Sequence, residues 1–262
     1  MAGPAPLRAP TPDRPFDDPG WLSEHLSEER READLLGEIR EVIFGAQDGV
    51  TSILAVVSTV AGATHLTSAV LIAGIAAALA EVFSMGAGEY MSSKSQREIY
   101  DAQIAKEREE VDARPGESVA EVAFMLEREG LEPQAARRVA AELARAPQVL
   151  LKTMVEKELG LTIEAGPGAL QGALILSGVF AVAALIPIVP FAVLPVSTAL
   201  PVSVGLSLIA TFAIGAAKAR WTLRSPIVSG LEVVALAAFA GIAGYFFGSI
   251  LPGLLGVQAS GL

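Results

Sequence analysis

The sequence predicts an all-α integral membrane protein with five transmembrane helices and a helical-bundle insert between the second and third. Three observations carry that class. Of the 262 residues, 52% are hydrophobic and only 18% are charged, a balance outside that of ordinary soluble domains. The charge is also confined. Between Glu41 and Glu89 the only charged residues are Asp48 and Glu81, between Glu164 and Lys218 there are none, and beyond Arg224 there is only Glu232. Finally, each apolar run is on the order of 20 residues, the length a helix needs to cross a bilayer.

Residues 1–26 begin with the Pro-rich run MAGPAPLRAPTPDRPFDDPG and are expected to form a disordered arm. The run lacks the apolar centre of a signal peptide, and its second residue is not the glycine that myristoylation requires. The next unit, 27–91, holds an amphipathic helix and two spans. Leu35, Leu36, Ile39, Val42 and Ile43 fall at helical spacing and lead into a first span over about 42–63. Thr64-His65-Leu66 is a short connection, and the second span covers about 67–91.

The insert is 92–167. No glycine or proline interrupts 92–112, so the second span is expected to run on as one helix into the insert. Arg114-Pro115-Gly116 reads as a turn, followed by a helix over 117–129 with Ser118 as its cap. Gly130 stops that helix. Pro133 starts a third, to Arg145, and Pro147 a fourth, ending near Gly160.

The last unit, 168–262, carries three spans. The third covers about 169–188 and is expected to break at IPIVPFAVLP, where Pro187, Pro190 and Pro195 crowd together. The fourth covers about 198–217 and the fifth about 227–251. Five spans put the amino terminus, the insert and the fourth-to-fifth loop on one side. All 19 Lys and Arg lie in those three places, so the insert is expected in the cytoplasm and the carboxyl terminus opposite.

Composition excludes several functions. There is no cysteine for disulfides, thiolate metal sites or thiol catalysis. The two histidines, His25 and His65, do not suit a zinc hydrolase. A net charge of −10 argues against nucleic acid as a partner. No nucleophile–base set or cofactor loop is present, so neither an enzyme nor a bound cofactor is expected.

The acids within the spans are the first candidates for function, since a carboxylate near the bilayer centre costs about 3 kcal/mol and is rarely idle. Asp48 lies in GAQDGVTS, flanked by Gly45 and Gly49, whose spacing allows close helix approach. Glu81, Met85 and Glu89 recur every four residues and share one stripe of the second span. Oxygen ligands with one soft sulfur suit a divalent first-row metal. The alternative, an acid that snorkels to an interface, stays open for Glu89 and is preferred for Glu232.

In the insert, Glu107 and Glu110 are i,i+3 on one helix, and Glu117 and Glu121 are i,i+4 on the next, across a tight turn. Antiparallel packing would bring both pairs together, and Met154 with Glu158 could join from the fourth helix. On spacing alone, a solvated face with Lys106, Arg108 and Arg114 as salt-bridge partners is the better-supported reading.

GAQDGVTSILAVVSTVAGA, SMGAGEYMSSKSQREIYDAQIAKEREEV, LEREGLEP and VEKELGL, taken in order, resemble the vacuolar iron transporter family. The resemblance covers about 35–251 and leaves out the Pro-rich arm. It implies a homodimer in the lipid bilayer that exports Fe²⁺, often with Mn²⁺, from the cytosol in exchange for protons, along a path between the subunits. It puts the family's intramembrane aspartate on Asp48 and its second-span methionine on Met85. The family's metal-binding bundle falls on Glu107, Glu110, Glu117, Glu121, Met154 and Glu158. Two departures stand out. Val155 follows Met154 where some members have paired methionines, and the Glu117 match needs a one-residue shift in the turn. Members also place an acid just before the first span, for which Glu38 and Glu41 both qualify.

The resulting expectation is a divalent-metal transporter of a bacterial inner (plasma) membrane, carrying Fe²⁺ and with Mn²⁺, Co²⁺ and Zn²⁺ as further possible ions. Glu81 would assist Asp48 and Met85. A membrane-anchored metal-binding or sensing protein that moves nothing is the alternative, as is a transporter of another divalent cation.

Overall fold

The computed structural model describes residues 19–161 and 168–254, apart from the side chains of 32–34. The arm before residue 19, the acid Glu164 and the tail after residue 254 lie outside the described residues. The described chain is helical throughout, in the order α1 (Pro19–Ala63), α2 (Thr67–Ala113), α3 (Pro115–Arg128), α4 (Pro133–Leu143), α5 (Pro147–Glu158), α6 (Ala169–Val193), α7 (Val196–Thr222) and α8 (Pro226–Leu254). Among the described residues five helices are long and apolar enough to cross a membrane: α1, α2, α6, α7 and α8.

The membrane bundle is built around α1, which packs along α6 and α8 and also meets α2 and α7. Its inner face, Val50, Ile53, Leu54 and Val57, is fully buried. Small residues set the spacing. A Cβ at Gly45 would stand 2.7 Å from the Leu176 carbonyl oxygen, and one at Gly49 2.6 Å from that of Phe180. The close approach expected at these glycines is therefore made against α6. On the other flank, Gly244 and Gly248 of α8 lie against the backbone of Ala55 and Thr59.

Four details differ from expectation. First, α1 begins at Pro19, so residues 19–26, assigned to the arm, are helical and continuous with the amphipathic segment and span. Second, Pro187 and Pro190 do not break the third span. Both sit inside α6, which ends only at Leu194 in extended backbone. The prolines leave the Ala183 and Ile186 carbonyls without helical donors, and α6 runs on through this stretch packed against α1, α2 and α7, with the Ser203 hydroxyl of α7 donating to the Pro187 carbonyl at 2.8 Å.

Third, Ser118 is not a cap. Helix α3 starts at Pro115 behind Arg114, and Ser118 is buried within its first turns. A proline is favoured at the first helical position because it has no N–H to leave unpaired. Fourth, Glu232 does not stand alone at an interface but accepts from Arg224 at 2.8 and 3.1 Å.

Helix α2 carries the expected continuity. It passes from the membrane bundle into the insert without a break, and its last turns pack with α3 and α5. There Val111, Val122, Leu150, Leu151, Met154 and Val155 form a second apolar core. Gly130, at φ +106°, takes the left-handed turn after α3 that a side chain would resist. Glu132 then caps α4 by accepting from the Ala135 N–H at 3.0 Å. An ion pair between Lys157 and Glu129, 2.5 Å, ties α5 to the end of α3.

Candidate functional site

The candidate residues lie at three levels along α1 and α2. In the membrane bundle, Asp48 is half-buried on α1 and lies close enough to Glu81 of α2 for their charges to interact. The Ser52 hydroxyl one turn on donates to the Asp48 carbonyl at 2.7 Å, so the carboxylate is not committed to that serine. Met85 is half-buried and packs against the apolar core around Phe180 and Ile188. Glu81 is exposed on the outer face of α2.

The second level was not assembled by the sequence reading. Where α1, α2 and α6 come together nearest the insert, Glu38, Arg40, Glu41, Glu89, Ser93 and Gln171 line a polar cavity of about 210 Å³. Arg40 donates to Glu41 at 2.8 and 3.1 Å, and Glu89 is near enough to act on the same guanidinium. Glu89 also accepts from Ser93 at 2.6 Å, and Glu38 accepts from Gln171 at 2.5 Å. Both candidate acids before the first span, together with the unsettled Glu89, therefore share one chamber. The i,i+4 pair Glu89–Ser93 was visible in the sequence, but nothing local announces that Gln171 would join it.

The third level is in the insert. Glu107, on the inner face of α2, is only 3% exposed, and its Oε2 is buried with no hydrogen-bond partner. Burial, and then the charges of Glu158 and Glu110, push its carboxyl above the usual glutamate range, with Glu121 adding to them and Lys106 opposing. Glu121 is pushed up in the same way, by burial first and then by Glu158, Glu117 and Glu110, with Arg114 opposing. The four carboxylates Glu107, Glu110, Glu121 and Glu158 thus converge from α2, α3 and α5 to within mutual electrostatic reach.

The convergence is open rather than closed. Among the described residues no three of His, Cys, Asp and Glu stand close enough to grip a metal ion as they are now set. Glu117 is at the rim, exposed and paired with Arg114 at 2.7 Å. Glu110 has Lys106 at 3.7 Å and Arg114 at 4.0 Å. Met154 is fully buried in the apolar core of the insert, one helical turn before Glu158. One group therefore holds both the salt bridges, at Glu110 and Glu117, and the carboxylates that lie within electrostatic reach of Glu107 and Glu121.

The chain was compared with known proteins. A family model described as the VIT family matches residues 39–249, which takes in every residue discussed above except Glu38 and the start of α1. Vacuolar iron transporter 1 of Eucalyptus grandis is 35% identical over 225 residues, covering 85% of this chain and 90% of the relative. Vacuolar iron transporter 1 of Arabidopsis thaliana is 35% identical over 217 residues, covering 82% and 87%. The vacuolar iron transporter of Plasmodium falciparum is 29% identical over 223 residues, covering 81% and 82%. With five apolar helices in place and a match that runs from the mouth of α1 almost to the end of α8, the chain belongs to the VIT family.

Proposed function

We propose that this protein moves Fe²⁺, and with it Mn²⁺, out of the cytosol in exchange for protons. Members of the VIT family are transporters, not enzymes, and the relatives' names specify iron. The observation that carries the reading is that Asp48 and Glu81 lie on two helices, α1 and α2, each long and apolar enough to cross a membrane. A protein that only held metal in its insert would have no use for two carboxylates there.

The insert collects hydrated metal on Glu107, Glu110, Glu121 and Glu158, with Glu117 and Met154 as outer members. The ion passes the chamber of Glu38, Glu41 and Glu89, then meets Asp48 and Met85. Protons arriving from the far side compete for the same carboxylates, and a protonated carboxyl is a poor ligand, so release and proton entry are one exchange.

The path runs between two copies of the chain. In a single copy Glu81 faces outward from α2, and only 11% of the apolar window of α2 is buried, against 28–39% in the other four spans. A second copy against that face would cover a carboxylate that lipid would not tolerate. The distribution of basic residues supports an insert on the cytosolic side. A plasma membrane and a vacuolar membrane, the one in the relatives' names, share that orientation.

Uptake of Fe²⁺ and Mn²⁺ into proteoliposomes, with and without a pH gradient, tests the proposal. Gradient-driven uptake is expected. Uptake indifferent to the gradient removes antiport, and no uptake of any divalent ion removes transport.

A further inference from the structure

The turn between α2 and α3 carries one cation among the carboxylates of the insert. Arg114 occupies it, with its backbone fixed on both sides. Its N–H donates to the Glu110 carbonyl at 2.8 Å, and its own carbonyl accepts from the N–H groups of Glu117 and Ser118 at 3.0 and 3.2 Å. From that root the guanidinium reaches Glu117 on α3 at 2.7 Å and Glu110 on α2 at 4.0 Å. Its charge is also felt at Glu121. Lys106, the other nearby base, comes within ion-pair distance of Glu110 alone, at 3.7 Å from a long exposed side chain.

We propose that Arg114 is a tethered competitor for the metal held by the insert: it occupies a carboxylate oxygen of Glu117, sets its charge beside Glu110, and must swing into water before an ion can take both. This rests on the reading of the insert as a metal-collecting bundle. Both sides of the competition follow from the contacts. The lone pairs that accept from a guanidinium are those a divalent ion needs. The pair is also easy to part, since Arg114 and Glu117 are each more than half exposed (57% and 53%) and exposed pairs hold weakly. The buried, unpartnered oxygen of Glu107 is the complement: one ligand is kept free for the incoming ion while Glu117 is held by the arginine and Glu110 lies beside its charge. The effect is a bundle that binds less tightly than its carboxylates alone would allow, and therefore lets go.

The test uses the full-length protein in detergent, titrated with Fe²⁺ under anaerobic conditions by calorimetry. Arg114→Gln is expected to tighten binding by roughly three- to tenfold, the size of one nearby unit charge acting on a divalent ion in a solvated site. Arg114→Lys keeps the charge without the planar fork and should stay nearer the wild type. Lys106→Gln should change affinity less than Arg114→Gln. Tightening cannot come from misfolding, which only loses sites. Unchanged or weaker binding in Arg114→Gln, or an equal gain in Lys106→Gln, overturns the inference. Glu107→Gln combined with Glu110→Gln reports separately on the bundle: if that variant binds as the wild type does, the metal-collecting reading itself fails.

Discussion

Met85 and Glu107 stand on one unbroken helix, about 33 Å apart along its axis at 1.5 Å per residue. The first belongs to the membrane bundle and the second to the core of the insert. The helix runs between them without a break or a proline, so helical geometry sets the distance between the membrane and insert levels of the proposed path.

Asp48→Asn should reduce Fe²⁺ uptake into proteoliposomes to the protein-free background while leaving helix content by circular dichroism unchanged. The side chain is half-buried, and the Ser52 hydroxyl beside it bonds the Asp48 backbone carbonyl, which the substitution leaves in place. Uptake at wild-type rates by this variant would remove Asp48 from the path.

Metal binding by the insert should weaken as pH falls. Glu107 and Glu121 both hold protons above the usual glutamate range, so protons compete with metal at a higher pH than they would for free glutamates near 4.3. Titration with Mn²⁺ at pH 5.5 and pH 7.5 should show clearly weaker binding at the lower pH. Glu107→Gln combined with Glu121→Gln should bind weakly at both, with a flatter pH dependence.

The same displacement makes a stability prediction for the metal-free protein. A carboxyl whose folded pKa is raised contributes stability that is whole below its unfolded pKa and lost as pH rises through the folded value. As pH rises from the ordinary glutamate range through its raised folded value, the buried Glu107 therefore turns from neutral to an unpaired charge, and the fold loses stability. Thermal melts in chelator at pH 5 and 7.5 should show Glu107→Gln losing less melting temperature than the wild type across that interval. An identical pH response in the two proteins would contradict the burial argument.

Gly49→Ala should loosen α1 from α6, because its Cβ would stand 2.6 Å from the Phe180 carbonyl oxygen and 3.0 Å from the Ala183 Cβ. Backbone cannot yield as a flexible side chain can, and a destabilisation of about 1–3 kcal/mol is expected. Gly178→Ala, on α6 with nothing within 4 Å of the new methyl, is the control and should melt as the wild type does. Equal melting of the two variants would show that the close approach is dispensable.

Much of this architecture was legible because membrane spans and charge segregation are written in composition. The continuity of α2 was legible too, from the absence of glycine and proline over 92–112. What escaped was whatever depended on a partner far along the chain. Pro187 and Pro190 looked like breakers because the sequence does not say that α1, α2 and α7 will pack around this stretch of α6. Ser118 looked like a cap because Pro115, the better starting residue, had been spent on a turn. Glu38, Glu41 and Glu89 were each noticed, but their common chamber needs α6 to bring Gln171 and Gly172 against them. The carboxylate pairs of the insert were found by spacing, whereas the arginine between them was visible only as one more surface base.

The unbroken α2 also changes what the insert has to do for the membrane site. An ion confined to a sphere of about 33 Å radius is present at an effective concentration of about 10 mM, far above any plausible supply of free iron. In the proposed path, a continuous stalk of that length would act as an antenna. It needs no swinging arm and no direct contact between donor and acceptor ligands. It has only to capture ions often and release them soon, close to a mouth that is always the same distance away.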